Sequence, residues 1–361
     1  MGAAFKLSSE TRTLLLDASL ALESGASLPG IEIAYRTWGR LSAQADNAIF
    51  ICHALTGSAD ADAWWGALLG PGKAIDTDRY FVICSNVLGG CYGSTGPASL
   101  APDGGWWGGR FPSLTIRDQV NAQIALADAL RLRRIHAVIG GSLGGLHALE
   151  WAWMDAARVR SVVSIAASGR HSAWCLAWSE AQRMALEADP RYRAGHYSPD
   201  DPPLQGLAAA RAMAMVGYRS ACSLGLRFGR QPAPADEKGR GDSGPDEATG
   251  FAVRDWLRFH GASLVARFDA HSYRVLIDAM DTHDLARGRG SYTEVLGAMR
   301  LPALIGSIAS DALYLPNDQI DLVRLLPNAQ MLPIDSPHGH DGFLMDAGTY
   351  AKELAAFLSR S

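Results

Sequence analysis

The fold is decided by the stretch Gly140-Gly141-Ser142-Leu143-Gly144. This stretch follows the apolar run His136 to Ile139 and opens a helical pattern that extends from Leu143 to about Met154. A serine flanked by glycines between a strand and a helix is typical of a nucleophile held in a tight, strained turn with small neighbours. The helix N-terminus beside it favours developing negative charge. The pattern therefore predicts that Ser142 is a covalent nucleophile.

Two other interpretations of this turn stay open from the residues alone. Ser142 is also placed to be the N-cap of an ordinary helix, since serine is a preferred capping residue. A dinucleotide-binding turn is disfavoured, because Ser142 stands where the G-x-G-x-x-G pattern requires glycine.

Further apolar runs, bounded by turn residues, have the character of buried parallel strands. They are Ala48 to Cys52, Tyr80 to Cys84, Val162 to Ile165, Ala303 to Ile308 and Gln330 to Ile334. A helical pattern covers Thr115 to Leu132. Strands that alternate with helices predict an α/β protein with a mostly parallel sheet covered on both faces. Together with the serine turn, this pattern predicts the α/β-hydrolase fold.

The alternation stops between about Ser168 and Leu301, where the sequence is helical and has no clear strand. The helical patterns are Ala173 to Glu187, Leu207 to Tyr218, Val253 to Arg267 and His271 to Met280. We therefore expect residues 168–300 to form a helical cap on a core domain of residues 1–167 and 301–361. Residues 231–250 are rich in Gly, Pro, Asp and Glu, which predicts a flexible surface loop.

A serine nucleophile needs a base and an orienting acid, which follow it in the order Ser, Asp, His in this fold. The last two predicted strands lead into Asp311 and His340, which makes Asp311 the candidate acid and His340 the candidate base. Three alternatives remain: Asp311 as a helix cap, His338 as the base, or a metal bound by the two histidines. A metal is disfavoured because no third soft ligand lies nearby in sequence.

The oxyanion hole of this fold combines two backbone N–H groups. One belongs to the residue after the nucleophile, Leu143. The other comes from the loop after an earlier strand, for which His53-Ala54-Leu55-Thr56-Gly57 is placed correctly, with Leu55 as the donor. We expect His53 to be structural.

Composition narrows the class of protein. The 361 residues include 33 basic and 37 acidic side chains, giving a net charge of −4 without blocks of like charge, so no nucleic-acid partner is expected. No stretch approaches the roughly 20 apolar residues that a membrane-spanning helix requires. The five cysteines have no CxxC spacing, which favours free buried thiols in a reducing compartment. A cytoplasmic protein without membrane association is the expectation.

Beyond these motifs, the chain resembles the homoserine O-acetyltransferases, the acyl-CoA-dependent enzymes of methionine biosynthesis, from about Ile31 to its end. The matching stretches are residues 53–57, Gly70 to Asp78 (GPGKAIDTD), Gly93 to Pro97 (GSTGP), Gly140 to Trp151 (GGSLGGLHALEW), Arg267 to Ala270 (RFDA) and Gly339 to Asp341 (GHD).

The resemblance implies a two-step mechanism in which Ser142 takes an acyl group from acyl-CoA and passes it to an amino-acid hydroxyl, with His340 as the base. In the family an Arg and a Tyr seven residues further on reach the substrate from the cap, and Arg211 and Tyr218 have that spacing. Arg211 would pair with the substrate carboxylate and Asp341 with its ammonium.

The resemblance further implies that L-homoserine is the acceptor and acetyl-CoA the co-substrate, with neither a permanently bound cofactor nor a metal. It also implies a homodimer formed through the cap helices.

Several departures from the family pattern bear on the acceptor. Leu143, Leu146 and His147 replace the usual Met, Met and Gln, His271 stands where Asn is usual, and residues 89–92 differ. The cap segment also resembles a fungal deacetylcephalosporin C acetyltransferase, through residues 173–175, 182–183 and 200–201. A succinyl-CoA donor, a serine or larger alcohol acceptor, an esterase-type hydrolase and a non-catalytic binding protein therefore remain alternatives.

Overall fold

The structure, a computed structural model, describes residues 7–233 and 250–360. Residues 234–249 of the predicted loop lie outside the described residues. At its two ends the Ala233 N–H donates to the Gly250 carbonyl (2.7 Å) and the Ala252 N–H donates to the Gln231 carbonyl (3.0 Å). The chain segments on either side of residues 234–249 are therefore paired with each other.

Twelve strands and twelve α-helices occur in the described ranges. The strands are β1 (Arg12–Leu16), β2 (Leu20–Ala21), β3 (Ser27–Leu28), β4 (Ile31–Trp38), β5 (Ala48–Cys52), β6 (Leu69–Gly70), β7 (Ile75–Asp76), β8 (Phe81–Ser85), β9 (Ile135–Gly141), β10 (Val162–Ile165), β11 (Ala303–Ile308) and β12 (Ala329–Ile334). The helices are α1 (Ala61–Trp64), α2 (Ile116–Ala129), α3 (Leu143–Met154), α4 (Ala173–Glu187), α5 (Leu204–Tyr218), α6 (Ala221–Phe228), α7 (Ala252–Val265), α8 (Ala270–Asp281), α9 (Tyr292–Ala298), α10 (Pro316–Leu325), α11 (Gly342–Met345) and α12 (Ala351–Leu358).

One eight-stranded sheet organises the molecule, in the order β1-β4-β8-β5-β9-β10-β11-β12. The six strands from β8 to β12 pair in parallel, whereas β1 pairs with β4 and β4 with β8 in antiparallel fashion. The predicted α/β-hydrolase fold with a mostly parallel sheet is confirmed, and each predicted strand is present to within one or two residues. The antiparallel edge was not predicted, because Glu32, Arg36 and Thr37 interrupt the apolar residues of β4.

The strand β5 shows why the central strands are continuously apolar. All five of its residues are buried. Ala48, Phe50 and Cys52 belong to the same core cluster as the residues of α3, while Ile49 and Ile51 belong to a second cluster with residues of α12. Because successive side chains point to opposite faces and both faces carry helices, no position of the strand is free to be polar.

Helices α4 to α9 lie between β10 and β11 in the chain, and α5 packs against both α4 and α7. The sequence had not predicted α6 or α9. Both begin at serines whose hydroxyls accept a backbone N–H, Ser220 from Ser223 and Ser291 from Glu294. A capping residue starts a short helix with little apolar periodicity, so pattern analysis misses it. Nowhere in residues 7–233 or 250–360 is a helix both long and apolar enough to cross a membrane.

The turn from β9 into α3 is packed so closely that it requires glycine. A Cβ atom on Gly144 would overlap the carbonyl oxygen of Cys52, and one on Gly140 would overlap the backbone of Gly144. A Cβ on Gly145 would lie 2.6 Å from the Cβ of Ala167. The first turn of α3 is thus held directly against the ends of the central strands.

The close approach at Gly144 makes this position intolerant of a single methyl group. We expect Gly144→Ala to lower the free energy of unfolding by about 3 kcal/mol or more, because backbone on both sides must move. Chemical denaturation followed by circular dichroism measures this change. Gly225→Ala is the matched control: Gly225 lies in α6 with no atom within 4 Å of its added Cβ, and alanine there should stabilise by about 0.5 kcal/mol. Equal stabilities of the two variants would contradict the packing argument.

Candidate active site

Ser142 adopts a conformation that few residues other than glycine adopt. Its φ is 57° and its ψ is −127°, and its N–H donates to the Ile165 carbonyl at 2.9 Å. Although Ser142 occupies the N-cap position of α3, its side chain makes no capping hydrogen bond. The capping interpretation therefore does not describe this serine. Strain of this kind collects at functional sites, where surrounding structure enforces it.

Asp311 and His340 are directly hydrogen-bonded in the structure. His340 Nδ1 donates to Asp311 Oδ2 at 2.8 Å, and both side chains are almost fully buried. The other carboxylate oxygen, Oδ1, accepts the N–H groups of Leu313 (2.8 Å) and Tyr314 (3.1 Å). All of these hydrogen bonds hold the carboxylate in one orientation toward the imidazole.

The second ring nitrogen of His340 is available for chemistry. With Nδ1–H directed at Asp311, Nε2 is left as an acceptor, and it is buried with no hydrogen-bond partner among the described residues. Burial lowers the pKa of His340, but the carboxylates of Asp311 and Asp341 outweigh it and raise this pKa above the ordinary histidine value. His340 and Ser142 line the same cavity, of about 330 Å³.

The other two candidate histidines have structural partners. His338 Nδ1 accepts from Ser223 Oγ (3.0 Å) and from Arg219 (3.2 Å), so it is not placed against Asp311. His53 Nε2 accepts the Val87 N–H at 3.1 Å, which leaves Nδ1–H to donate to the Ala54 carbonyl at 2.8 Å. Burial lowers the pKa of His53 to about 4, so its imidazole is neutral.

The two candidate oxyanion donors follow neighbouring strands of the sheet, Leu55 after β5 and Leu143 after β9. Leu143 is the first residue of α3, where backbone N–H groups lack an acceptor within the helix. Leu55 lines the cavity in a turn closed by the Gly57 N–H, which donates to the Ala54 carbonyl at 2.8 Å. The His53 ring donates a hydrogen bond to the same Ala54 carbonyl and so stabilises this turn.

The cap contributes one wall of the cavity. Arg211 and Tyr218 of α5 both line it, and the Arg211 guanidinium lies 5.4 Å from the centre of the Tyr218 ring. The Tyr218 ring in turn lies 5.6 Å from that of His340. No carboxylate in the described part of the chain forms an ion pair with Arg211, so its charge is available to a ligand.

Asp341 places a negative charge in the same cavity. Burial raises the pKa of its carboxyl, and the nearby charges of His340, Arg211 and Arg219 oppose this effect. Its one ion pair within the described ranges is with Arg219, at the long distance of 3.9 Å. The cavity thus contains both a cation and an anion beside Ser142.

Two arginines near this cavity, Arg219 and Arg267, have no role that the sequence predicts. Arg219 is buried and donates to Ser223 Oγ (2.7 Å) behind Asp341. Arg267 lines the cavity and donates to the Thr56 carbonyl (2.8 Å) and the Tyr92 hydroxyl (2.7 Å). In the sequence, Arg219 is marked only by its position next to Tyr218, and Arg267 only by its place in the RFDA stretch. Neither feature predicts a contact with the cavity.

The cysteines form no disulfide in the structure. Cys52, Cys84, Cys91 and Cys175 are buried as expected, but the expectation is wrong for Cys222, which is exposed on α6. In the described ranges no three His, Cys, Asp or Glu side chains are grouped so that they could hold a metal ion.

Comparison with known proteins identifies two kinds of relative. A family model described as the α/β hydrolase fold matches residues 47–346. The homoserine O-acetyltransferase of Trichormus variabilis is 48% identical over 353 residues, covering 97% of this chain and 94% of that protein. The crystal structure of a homoserine O-acetyltransferase from Bacillus anthracis has a TM-score of 0.87 at 25% identity, covering 97% of this chain and 98% of that one. A solved esterase has a TM-score of 0.86 at 25% identity, covering 97% and 99%.

The raised pKa of His340 predicts how the reactivity of Ser142 depends on pH. Only the neutral imidazole accepts the Ser142 proton, so the rate of labelling by a fluorophosphonate should fall as pH drops through the pKa of His340. Removing the charge of Asp341 lowers that pKa, so Asp341→Asn should move the midpoint to lower pH by about half a unit. Measuring the rate of labelling between about pH 5 and pH 9, a range that brackets the ordinary histidine pKa, tests this shift of the midpoint. Asp335→Asn, at an exposed position, is the control, and an equal midpoint in both variants would contradict the assignment.

Proposed function

Because the chain belongs to the homoserine O-acetyltransferases of the α/β-hydrolase fold, we propose that it transfers an acetyl group from acetyl-CoA to the hydroxyl of L-homoserine. One observation supports this acceptor above all others. The cavity that contains Ser142 and His340 also contains Arg211 and Asp341, a cation and an anion suited to the two charges of an amino acid.

In the proposed first half-reaction the Ser142 hydroxyl attacks the thioester carbonyl while His340 Nε2 accepts its proton. The N–H groups of Leu55 and Leu143 stabilise the negative charge on the carbonyl oxygen. When the tetrahedral intermediate collapses, the carbon–sulfur bond breaks and His340 returns the proton to the departing thiolate. The products are free CoA and an acetyl ester of Ser142.

In the proposed second half-reaction the homoserine hydroxyl attacks the acetyl ester, with His340 again accepting the proton and then delivering it to Ser142. Asp311 keeps the imidazole in the required tautomer and stabilises its protonated form. No cofactor has to remain bound between turnovers, since the acyl group is carried on Ser142 itself.

Recognition of the acceptor is assigned to the two opposed charges. The Arg211 guanidinium binds the substrate carboxylate, for which its forked donors are suited. Asp341 binds the ammonium group, and the Tyr218 ring supports Arg211 from the same helix. Binding both ends of the amino acid fixes its hydroxyl near the acetyl ester, and water has no such anchoring.

Of the residues that depart from the family pattern, Tyr92 lines the cavity that contains Ser142. The departures in α3 and at His271 lie elsewhere and do not argue for a different acceptor. Leu143, Leu146 and His147 are fully buried in α3, and His147 Nε2 is bonded to Gln119 Oε1 at 2.8 Å. His271 is bonded to the Tyr192 hydroxyl at 2.9 Å. Among the described residues, none of these four lines the cavity that contains Ser142.

A hydrolase is the second candidate, because a solved esterase has nearly the same fold. An esterase would share the Ser142, Asp311 and His340 arrangement, since water then takes the place of the acceptor. It would have no need for the opposed charges of Arg211 and Asp341.

We further propose a homodimer formed through the cap helices. Large apolar side chains are exposed there: Trp174, Met184, Met213, Val216, Leu226 and Phe259. Exposed apolar side chains grouped on one part of a protein mark interaction surfaces. Light scattering that gives the mass of one chain would contradict this proposal.

The free thiols support a reducing compartment, and we propose the cytoplasm.

A panel of donors and acceptors tests the reaction. Thiol release is measured with acetyl-CoA or succinyl-CoA, in the presence of homoserine, serine or no acceptor. We expect rapid release with acetyl-CoA and homoserine, and at least about tenfold slower release without an acceptor, because water is not anchored. Equal release without an acceptor would replace the transferase proposal with the hydrolase. Ser142→Ala is the control that must abolish release.

The charge at Arg211 should act on the acceptor alone. We expect Arg211→Met to raise the KM for homoserine about 100-fold and to leave the KM for acetyl-CoA within about twofold, since a charge-assisted contact of roughly 2–3 kcal/mol is lost. Steady-state kinetics with each substrate varied in turn measures both constants. Arg258→Met, at an exposed cap residue, is the matched control. A rise in the KM for acetyl-CoA instead would place Arg211 in the donor site.

A further inference from the structure

The start of the cap binds three consecutive residues that follow Asp311. Trp174 Nε1 donates to the Ala312 carbonyl at 2.7 Å, and Cys175 Sγ donates to the Leu313 carbonyl at 3.4 Å. The ring of His171 reaches the third residue, with 3.1 Å between its Nε2 and the Tyr314 hydroxyl. Residues 312–314, which we call the acid loop, are therefore held along their whole length by residues 171–175 of the cap.

The same loop fixes both members of the Asp311–His340 pair. The N–H groups of Leu313 and Tyr314 donate to Asp311 Oδ1, which leaves Oδ2 for His340. The Tyr314 ring lies against the His340 ring, with centroids 5.5 Å apart and planes 31° apart. A shift of Tyr314 would disturb the carboxylate through the main chain and the imidazole through the side chain.

Behind Tyr314 lies a second Asp–His pair, in which the histidine is buried and the aspartate is partly buried. His171 Nδ1 is 3.0 Å from Asp281 Oδ1, and only 3% of the His171 side chain is exposed. Asp281 Oδ2 is in turn 2.6 Å from the Arg183 guanidinium. Burial raises the pKa of Asp281, but hydrogen bonds from His171 and Arg183 outweigh it and lower this pKa below the ordinary value. A charged Asp281 holds the His171 proton on Nδ1, so Nε2 accepts the hydrogen of the Tyr314 hydroxyl.

We propose that His171 is a positioning residue for the reaction: through Tyr314 it holds the acid loop so that Asp311 and His340 stay aligned. Neither His171 nor Asp281 lines the cavity that contains Ser142, so in this proposal they act through Tyr314 and not on the substrate. The inference rests on the roles proposed above for Asp311 and His340. The proposal also gives residues 171–175 a role in orienting the Asp311–His340 pair. This role does not depend on how large the acceptor is.

A matched pair of substitutions isolates the contact with Tyr314. Asparagine at 171 keeps an amide near the position of Nδ1, beside Asp281, but does not reach Tyr314. Glutamine is long enough to reach the hydroxyl. We expect His171→Asn to lower kcat about tenfold with both KM values within about twofold, and His171→Gln to recover most of the loss, since a small misalignment of the base slows chemistry without weakening binding.

Tyr314→Phe removes the other partner of the same contact. It should lower kcat to a similar extent, and the double variant His171→Asn/Tyr314→Phe should lose no more than either single variant, because all three lack one and the same hydrogen bond. Tyr80→Phe is the matched control. It removes a buried tyrosine hydroxyl that donates to the Leu358 carbonyl at 3.2 Å, and it should leave kcat unchanged.

The rate at which a fluorophosphonate labels Ser142 is measured on the same variants, because this reaction needs no acceptor. Slower labelling of His171→Asn and Tyr314→Phe, with normal labelling of Tyr80→Phe, supports the inference. Unchanged labelling and kcat in folded His171→Asn, or multiplicative losses in the double variant, would overturn it. If wild-type protein is labelled but does not transfer acetyl to homoserine, the proposed acceptor fails while the positioning role stands. Failure of wild-type Ser142 to react at all would overturn both.

Discussion

The contact between the first turn of α3 and the ends of the central strands is the constraint on which the rest of the structure depends. Gly144 leaves no room for a side chain between the helix and β5, and Gly140 leaves none between β9 and the helix. Ser142, between these two glycines, has a positive φ. A strained residue of this kind costs about 1–3 kcal/mol. The buried helix α3 offsets that cost, since residues 143–152 are all buried. The position of the Ser142 hydroxyl is therefore set by packing of the core and not by hydrogen bonds of its own.

The charge states of His340 and Asp341 depend on opposing effects of burial and of neighbouring charges. Burial alone would favour a neutral His340 and a neutral Asp341. The carboxylates of Asp311 and Asp341 favour the protonated form of His340. Arg211 and Arg219 favour the ionised form of Asp341. Each group thus depends on its neighbours for its charge, so a change in the charge of Asp341 would change the pKa of His340.

The cap contributes to the site at two separate places. On the cavity side, α5 supplies the ring of Tyr218 and the cation Arg211, which has no ion pair within residues 7–233 and 250–360. Near the junction with the core, the start of α4 holds the loop that carries the orienting contacts of Asp311. An esterase and an acetyltransferase of nearly the same fold are both known in solved structures. In the proposed function, the charges that the cavity presents to a second substrate distinguish the two reactions.

The sequence by itself determined the central strands, the nucleophile turn and the order of Ser142, Asp311 and His340. Strands buried on both faces must be apolar throughout, and a strained turn must be rich in glycine, so both leave local signals. The sequence did not reveal the antiparallel edge of the sheet, because polar residues interrupt the apolar run of β4. Nor did it reveal the short helices α6 and α9, which depend on capping. Only the tertiary structure decided that His340 and not His338 meets Asp311, and that Arg219, Arg267 and His171 surround the site. Those contacts join residues as many as 211 positions apart, as between Arg267 and Thr56, and no local pattern records them because they are created by the packing of the cap on the core.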